Sequence, residues 1–386
     1  MPETTPIPIV EREYRSRVSA TQRVLRDLDV DGMLCLDFHD VVYLTGFFHA
    51  PNERPVGCYV PADGEITLFV PLLEREHAHA TWVERIETYE EFPGREHPVV
   101  WMTAHAGVTS LAVDALDVRL ARHLDAAGVH VEPCDAVERL RWRKSDTELA
   151  LVRSAARFAD RCLEHVLERA GRIARSGGSE LDILAAALSA TEADMRAALG
   201  DAFDGTPTRV VGTVHTGPQA ALPHGRPGPR RPRDGDVLIA GIGVAVGGYH
   251  AESGATFVFG PADDDQRHCL LAAEACDRAA RAACVPNALG ESVNEAGLAV
   301  LRDAGLGAHI RHRIGHGMGL QGHESPWLAP GGREPIEAGM VFSNEPGIYR
   351  PGVDGYRVIN TMIVTASGVE VPSRFQDTVP IDARVL

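Results

Sequence analysis

The last two-thirds of the chain, from residue 145 onward, shows the same order of predicted elements twice. Helical patterns cover residues 145–199 and 263–304, and short β-rich segments cut by Gly and Pro follow each of them, up to Phe259 and Val379. Helices and strands that do not alternate strictly favour an α+β domain over a doubly wound α/β fold. The two halves share no visible sequence identity, so the order of elements is the sole indication of an internal pseudo-repeat.

The first 140 residues have a different pattern. An apolar stripe predicts a helix over 10–30, and four short apolar runs that follow it predict strands: GMLCL (32–36), VVYLTGF (41–47), VGCYV (56–60) and ITLFV (66–70). Together they predict a smaller mixed α/β domain. Ser145 and Glu148 form a capping box at the start of the next helix. We therefore predict two domains, residues 1–143 and 144–386.

The composition restricts the class of ligand. Lys and Arg number 38 and Asp and Glu number 54 among 386 residues, which gives a formal net charge of −16. Such a chain repels nucleic acid. It has no apolar run of membrane-spanning length and no apolar leader near its first residue. Seven scattered cysteines without a CxxC pair are typical of a reduced, cytoplasmic protein. We expect a small-molecule substrate.

Four short motifs carry residues suited to proton transfer. GHGMGLQGHE contains His316 and His323 among four glycines, SNEPG contains Glu345 at a tight turn, and ALPHG contains His224 on a loop. Glu252 follows a predicted hairpin. Each motif alone is weak evidence for a functional site, because histidines in loops and Glu-Pro-Gly turns are common. Together they predict one pocket in the second domain, built for acid–base chemistry.

The predicted hairpin relates Glu252 to the strand before it. A turn centred between Val246 and Gly247 places Glu252 opposite Gly241. A side chain at 241 would therefore share a face with Glu252.

In this order, the motifs resemble those of the creatinase, Xaa-Pro aminopeptidase, prolidase and methionine aminopeptidase family, which has the pita-bread fold. The resemblance covers about the last 240 residues, through ALPHG, GDVLIAGIG, GGYHAES, GHGMGLQGHE, EAGMVFSNEPGIY and GYRVINTMIVT. VVYLTGF and ERPVGCYV resemble the creatinase-type N-terminal domain. The resemblance implies a C-terminal pita-bread domain behind a smaller α/β domain.

The resemblance also implies a metal site from which this chain departs. Metal-dependent members hold two divalent ions with two Asp, one His and two Glu. The matching positions here are Gly241, Glu252, His316, Glu345 and Ile359. Glycine and isoleucine offer no ligand atom, so we expect no metal and no other cofactor. If a single divalent metal is bound, we expect Glu252, His316 and Glu345 to hold it.

The two remaining family histidines match His224 and His323. Creatinase is the family precedent for hydrolysis without metal. On that precedent we assign His224 as the general base, His316 and His323 to the scissile carbonyl or a substrate carboxylate, and Glu252 and Glu345 to the leaving nitrogen. Further candidates for substrate binding are Arg54, Tyr249 and Arg357. The resemblance implies a homodimer.

The favoured function is metal-independent hydrolysis of a C–N bond in an amide, an amidine or a small cyclic amino-acid derivative. Three alternatives stay open at this stage. They are a metal-dependent Xaa-Pro dipeptidase or aminopeptidase with a reduced metal site, a lyase or cyclase of a specialised pathway, and a non-catalytic binding module.

Overall fold

A computed structural model describes residues 6–386. Within it, the chain forms two compact units, one spanning Ile9–Arg141 and the other containing Trp142–Leu386. None of the described helices is long and apolar enough to span a membrane. All seven cysteines are free thiols, and six of them are buried.

The first unit is a six-stranded mixed sheet with helices, in the order β4-β3-β2-β1-β5-β6. Its apolar core contains Leu34, Phe69 and Met102. The elements in chain order are α1 (Glu11–Leu28), β1 (Gly32–Cys35), α2 (Phe38–Thr45), β2 (Gly57–Pro61), β3 (Thr67–Pro71), α3 (Arg75–Ala78), β4 (Arg85–Tyr89), α4 (Pro98–Ala106), β5 (Ser110–Val113), α5 (Val118–Ala126), β6 (His130–Pro133) and α6 (Ala136–Trp142).

The prediction of a strand over 41–47 is wrong, because these residues lie in helix α2 and the loop after it. Asp37 caps the helix by accepting from the backbone N–H groups of His39 and Asp40. Gly46, with a φ of 73°, ends it in the left-handed region. Residues 40–45 are all buried, so the run is apolar without a helical period. A short buried run of this kind does not distinguish a helix from a strand.

The second unit contains a sheet in the order β11-β10-β12-β15-β9-β8-β7, with β16 paired to β15. A two-stranded ribbon of β13 and β14 accompanies it. The elements in chain order are α7 (Asp146–Arg175), α8 (Glu180–Leu199), β7 (Arg209–Thr216), β8 (Val237–Val246), β9 (Tyr249–Val258), α9 (Asp264–Ala283), α10 (Gly290–Asp303), β10 (Gly315–Gly317), β11 (Glu324–Leu328), β12 (Val341–Asn344), β13 (Gly347–Arg350), β14 (Asp354–Arg357), β15 (Ile359–Thr365), β16 (Gly368–Glu370) and α11 (Phe375–Thr378).

The β8–β9 hairpin has a different register from the predicted one. Val246 pairs with Tyr249 across a two-residue turn, and Glu252 lies opposite Gly243 rather than Gly241. Gly247 and Gly248 both have positive φ, at 58° and 84°. A two-residue turn of this type needs positive φ at both positions, and the glycine pair supplies it. Gly241 still shares the face of Glu252, because it is two residues from Gly243 along β8.

The capping box at the start of α7 is confirmed. The Ser145 hydroxyl accepts from the Glu148 backbone N–H at 3.2 Å, and the Glu148 carboxylate accepts from the Ser145 backbone N–H at 2.6 Å. The same carboxylate accepts a hydrogen bond from the buried Tyr249 hydroxyl at 2.6 Å. The box therefore joins the start of the 30-residue helix to strand β9.

Replacing the cap should weaken this junction. We expect Ser145→Ala to lower the free energy of unfolding by about 1 kcal/mol, because it leaves helix N–H groups without an acceptor. Urea unfolding followed by circular dichroism measures the change. Ser367→Ala, in the exposed turn between β15 and β16, is the matched control and should have little effect. Equal stability of the two variants would contradict the role given to the cap.

Candidate functional site

Neighbouring strands of the larger sheet bring the predicted site residues together. Glu252 lies on β9, His316 lies on β10, and Glu345 directly follows β12. The strands lie side by side in the order β10, β12, β15 and β9. His316 is paired with Ser343 of β12, so residues far apart in sequence meet on one face of the sheet.

His316 is the centre of the site. Its ring is fully buried, and its Nδ1 donates to the backbone carbonyl of Gly317 at 2.9 Å. Nε2 lies 3.8 Å from Glu252 Oε2 and 3.6 Å from Glu345 Oε1, with no hydrogen-bond partner among the described residues. Because a carbonyl oxygen only accepts, the proton of the neutral ring is on Nδ1. The Nε2 lone pair therefore points between the two carboxyl groups.

The other two histidines lie at the solvent side. The His323 ring stacks on the His316 ring, with centroids 3.7 Å apart and planes 18° apart. His224 is exposed, in the loop after the 3₁₀ turn at Gly217–Ala221. Burial is the main cause that lowers the pKa of His323, and the charges of His316 and His224 act in the same direction.

Burial controls the protonation of this group. It raises the pKa of Glu252 and of Glu345, although the hydrogen bond from Ser343 opposes the shift at Glu252 and His316 opposes it at Glu345. Burial lowers the pKa of His316 and of His323. Desolvation favours the neutral form of each group. Burial therefore shifts both carboxyls and both imidazoles toward their neutral forms.

The two departures from the metal-binding pattern are neighbours in space. A Cβ added to Gly241 would lie 3.1 Å from Arg357 Nη2 and 3.3 Å from Ile359 Cδ1. The Ile359 side chain also lies against Gly254, where an added Cβ would be 2.6 Å from Cδ1. A guanidinium and an apolar side chain therefore occupy the space around the two positions where the family places carboxylate ligands.

This arrangement does not fit a pair of metal ions. A two-metal site needs carboxylates that hold both ions, and Gly241 and Ile359 provide none. A single ion is compatible with three residues whose ligand atoms lie within 4.8 Å of one another, Glu252, His316 and His323. That set differs from the predicted one, because His323 takes the place of Glu345.

The structure does not place Tyr249 at the site. Its hydroxyl donates to Glu148 of α7, and the side chain is buried. Ser253 on the same strand also reaches α7, where it donates to Asp160 at 2.6 Å. Odd-numbered residues of β9 thus face the helix, while Glu252 points to the opposite face. The Tyr249 side chain therefore faces away from Glu252, and its predicted contact with a substrate stays a prediction.

Arg54 belongs to the first unit, where its Nε donates to Glu91 at 2.6 Å and its guanidinium also pairs with Glu53. Its predicted contact with a substrate stays a prediction. Arg357, in contrast, is buried within the second unit and adjoins Gly241.

Polar residues that were not predicted from the sequence hold the segments around Glu252 and Glu345. Ser343 donates to Glu252 Oε2 at 2.8 Å, and the Thr361 hydroxyl both accepts from the Glu252 backbone N–H and donates to its carbonyl. Asn344, beside Glu345, donates to the buried Asp277 at 2.7 Å. The motif SNEPG could have indicated Ser343 and Asn344, since they are the two residues before Glu345.

The buried carboxyl groups predict a pH-dependent stability. A carboxyl whose pKa is raised by folding favours the folded state below its ordinary pKa of 4.5, and this contribution is lost as the pH rises through the folded-state pKa. In metal-free buffer, we expect the stability of Glu345→Gln relative to wild type to increase from pH 4.5 to about pH 8. Urea unfolding at both pH values tests this.

The exposed Glu76→Gln is the control, and its difference from wild type should be the same at both pH values. A constant difference for Glu345→Gln as well would show that Glu345 ionises without a burial penalty.

Two protein-family models match this chain. Metallopeptidase family M24 matches residues 150–366, and the creatinase/prolidase N-terminal domain matches residues 17–142. A probable dipeptidase PepE of Mycobacterium bovis is 31% identical over 369 residues, which cover 92% of this chain and 93% of that protein.

Solved structures agree with these matches. The crystal structure of dipeptidase PepE from Mycobacterium ulcerans superposes with a TM-score of 0.84 at 26% identity, covering 98% of this chain and 99% of that one. An Xaa-Pro dipeptidase from Bacillus anthracis has the same fold, with a TM-score of 0.80 at 22% identity over 97% of this chain and 100% of that one. The chain therefore belongs to metallopeptidase family M24, as a C–N hydrolase with a pita-bread domain behind a creatinase-type N-terminal domain.

Proposed function

We propose that this protein hydrolyses the C–N bond of a small amide by proton transfer among Glu252, Glu345 and the neighbouring imidazoles, without a pair of metal ions. One observation carries the proposal. The lone pair of the buried His316 Nε2 faces two carboxyl groups. At two positions where metal-dependent family members have carboxylate ligands, this chain has Gly241 and Ile359. Acid–base residues are thus present where two of the five metal ligands are absent.

The chemistry needs a base for water and an acid for the leaving nitrogen. His224, exposed and near His323, accepts a proton from water as the water oxygen bonds to the scissile carbonyl carbon. When the C–N bond breaks, the nitrogen takes a proton from whichever of Glu252 and Glu345 is protonated. Their raised pKa values favour a protonated carboxyl at this step. The proton on His224 then returns to the carboxylate through solvent.

The names of the relatives suggest the size of the substrate. The PepE proteins are called dipeptidases, and the Bacillus anthracis neighbour is called an Xaa-Pro dipeptidase. We infer a substrate of dipeptide size for this chain. Family membership also supports hydrolysis over the lyase, cyclase and binding-module alternatives.

We further propose a cytoplasmic homodimer, in which residues 1–143 form an accessory domain and residues 144–386 the catalytic one. All of the proposed catalytic residues lie in the second of these segments. Seven free thiols are compatible with a reducing compartment. In this dimer we assign Arg54 to the binding of a substrate carboxylate in the site of the neighbouring subunit.

A single divalent ion is the second candidate. Glu252, His316 and His323 could supply three ligands, and the donation from His316 Nδ1 to a backbone carbonyl is the arrangement that orients a metal-ligating histidine. In that case the protein would be a metal-dependent dipeptidase with a reduced site.

Metal analysis separates these candidates. We expect protein treated with EDTA to retain its activity on a panel of dipeptides and N-acyl amino acids. We expect the double variant Gly241→Asp/Ile359→Glu to bind about two Mn²⁺ per chain, because it restores both missing carboxylates, whereas wild type binds at most one. Elemental analysis after dialysis measures the stoichiometry. Activity lost with EDTA and recovered with one equivalent of metal would favour the second candidate.

The base assignment is tested by His224→Ala. We expect kcat to fall by about 10²–10⁴-fold, the usual contribution of a general base, with the stability unchanged because the side chain is exposed. Steady-state kinetics and thermal unfolding measure the two effects. The exposed His123→Ala in the N-terminal unit is the control. If His224→Ala kept an activity near that of wild type, another residue would have to be the general base.

A further inference from the structure

We propose that His215 and Glu180 are positioning residues, which hold the segment at residues 222–230 in place and so fix the position of His224. We call this segment the His224 loop. The inference rests on the proposed function, since it explains how the proposed general base is held at the site.

The His224 loop has no secondary structure of its own. It follows the 3₁₀ turn at Gly217–Ala221, and residues 222–236 form neither helix nor strand before β8 begins. Three of its nine residues have no backbone N–H to donate, namely Pro223, Pro227 and Pro229. Its position therefore depends on hydrogen bonds from other elements.

The side chain of His224 does not hold the loop. The imidazole is exposed, and it makes no hydrogen bond within residues 6–386. The backbone around it must therefore set its position. A displacement of about 1 Å at a catalytic group can lower a rate by about 10²-fold, so the bonds that hold this backbone matter for the chemistry.

Buried side chains hold the residues on both sides of His224. The buried His215 lies on β7, and its Nε2 donates to the carbonyl of Gly225 at 2.6 Å. On the other side, Arg357 Nη1 donates to the carbonyl of Pro223 at 3.0 Å. Because a carbonyl oxygen only accepts, the His215 proton is on Nε2 and is committed to the loop.

Glu180 holds the far end of the loop. It is the first residue of α8 and is fully buried. One carboxylate oxygen accepts from the Thr216 backbone N–H at 2.8 Å and from its hydroxyl at 2.7 Å, and the other accepts from the Gly228 N–H at 3.0 Å. The Glu180 N–H in turn donates to the Arg230 carbonyl at 2.9 Å. A buried carboxylate with three donors is a strong anchor, since losing one of them leaves a polar group unsatisfied.

The two anchors meet on neighbouring residues of β7, because Glu180 binds Thr216 and His215 directly precedes it. His215 lies opposite Ile239 of β8, two residues before Gly241. β8 pairs in turn with β9, which carries Glu252. The His224 loop is therefore tied to the same sheet that holds the catalytic carboxyl, which relates the base to the acid.

The first test measures the loop without using activity. We expect His215→Leu to raise the hydrogen–deuterium exchange rate of the Gly225 and Gly228 amides at least ~10-fold, as measured by mass spectrometry of the peptide that contains the loop. His215→Gln, whose amide nitrogen can take the place of Nε2, should restore most of the protection.

The second test asks whether His215 acts through His224. We expect His215→Leu to lower kcat at least ~10-fold, and His215→Gln to recover most of it. In the background of His224→Ala, the same His215→Leu change should alter the remaining kcat by less than ~2-fold, because the residue that it positions is gone. A residue that only stabilised the fold would lower kcat equally in both backgrounds.

Glu180→Gln gives the result if His215→Leu fails to fold. It keeps an acceptor for Thr216 but loses the one for Gly228, so it should show the same increase in exchange at Gly228 and the same dependence on His224. His165→Leu is the matched control, because it removes another buried imidazole of this unit, one that pairs with Asp194 at 2.8 Å. It should leave the exchange of the loop and kcat as in wild type.

Unchanged protection in His215→Leu and Glu180→Gln, or an equal loss of kcat with and without the His224 side chain, overturns the inference. An active His224→Ala would overturn the base assignment and the positioning role with it. If the variants lose protection as expected but wild type hydrolyses none of the dipeptides and N-acyl amino acids, the anchors hold the loop and the proposed function is wrong.

Discussion

The hydrogen bond from His316 Nδ1 to the Gly317 carbonyl determines what the rest of the site can do. It fixes the orientation of a buried ring and leaves its other nitrogen as an acceptor between Glu252 and Glu345. One imidazole nitrogen thus lies within 4 Å of two carboxyl oxygens in a desolvated place. Desolvation favours the neutral form of each of these groups, and a neutral carboxyl can act as a proton donor.

The absence of two carboxylates and the presence of an arginine change the charge of the site in the same direction. Two metal ions would bring four positive charges, which the full set of carboxylates balances. With Gly241 and Ile359 in place of two of them, two carboxyls remain beside one fixed cation, Arg357. Ile359 fills the space next to Gly241 and Gly254 with apolar atoms, which disfavours water and ions there. The substitutions therefore act together rather than as separate losses.

Local signals in the sequence were sufficient for much of the architecture. The capping box at Ser145, the long helices and the family motifs predicted the elements of the second unit and their order. The helix at Phe38–Thr45 was missed because a fully buried run has no amphipathic period. The Tyr249 side chain faces away from Glu252, as its odd number on β9 requires, and the sequence already contained this parity. The contact of Arg357 with Gly241 could not be predicted, since it depends on how β14 passes β8.

A second layer of polar residues explains how the strand ends can stay so close. The buried Asp277 of α9 accepts from Asn344 at 2.7 Å and from Asn360 at 3.1 Å. These asparagines directly adjoin Glu345 and Ile359, on the adjacent strands β12 and β15. The Asp277 carboxylate thus links β12 to β15. Glu345, a proposed catalytic residue, directly follows β12, and the apolar Ile359 begins β15. Because both amides donate to the same carboxylate, and Arg281 also pairs with it at 2.7 Å, this buried anchor fixes the spacing of the two strands.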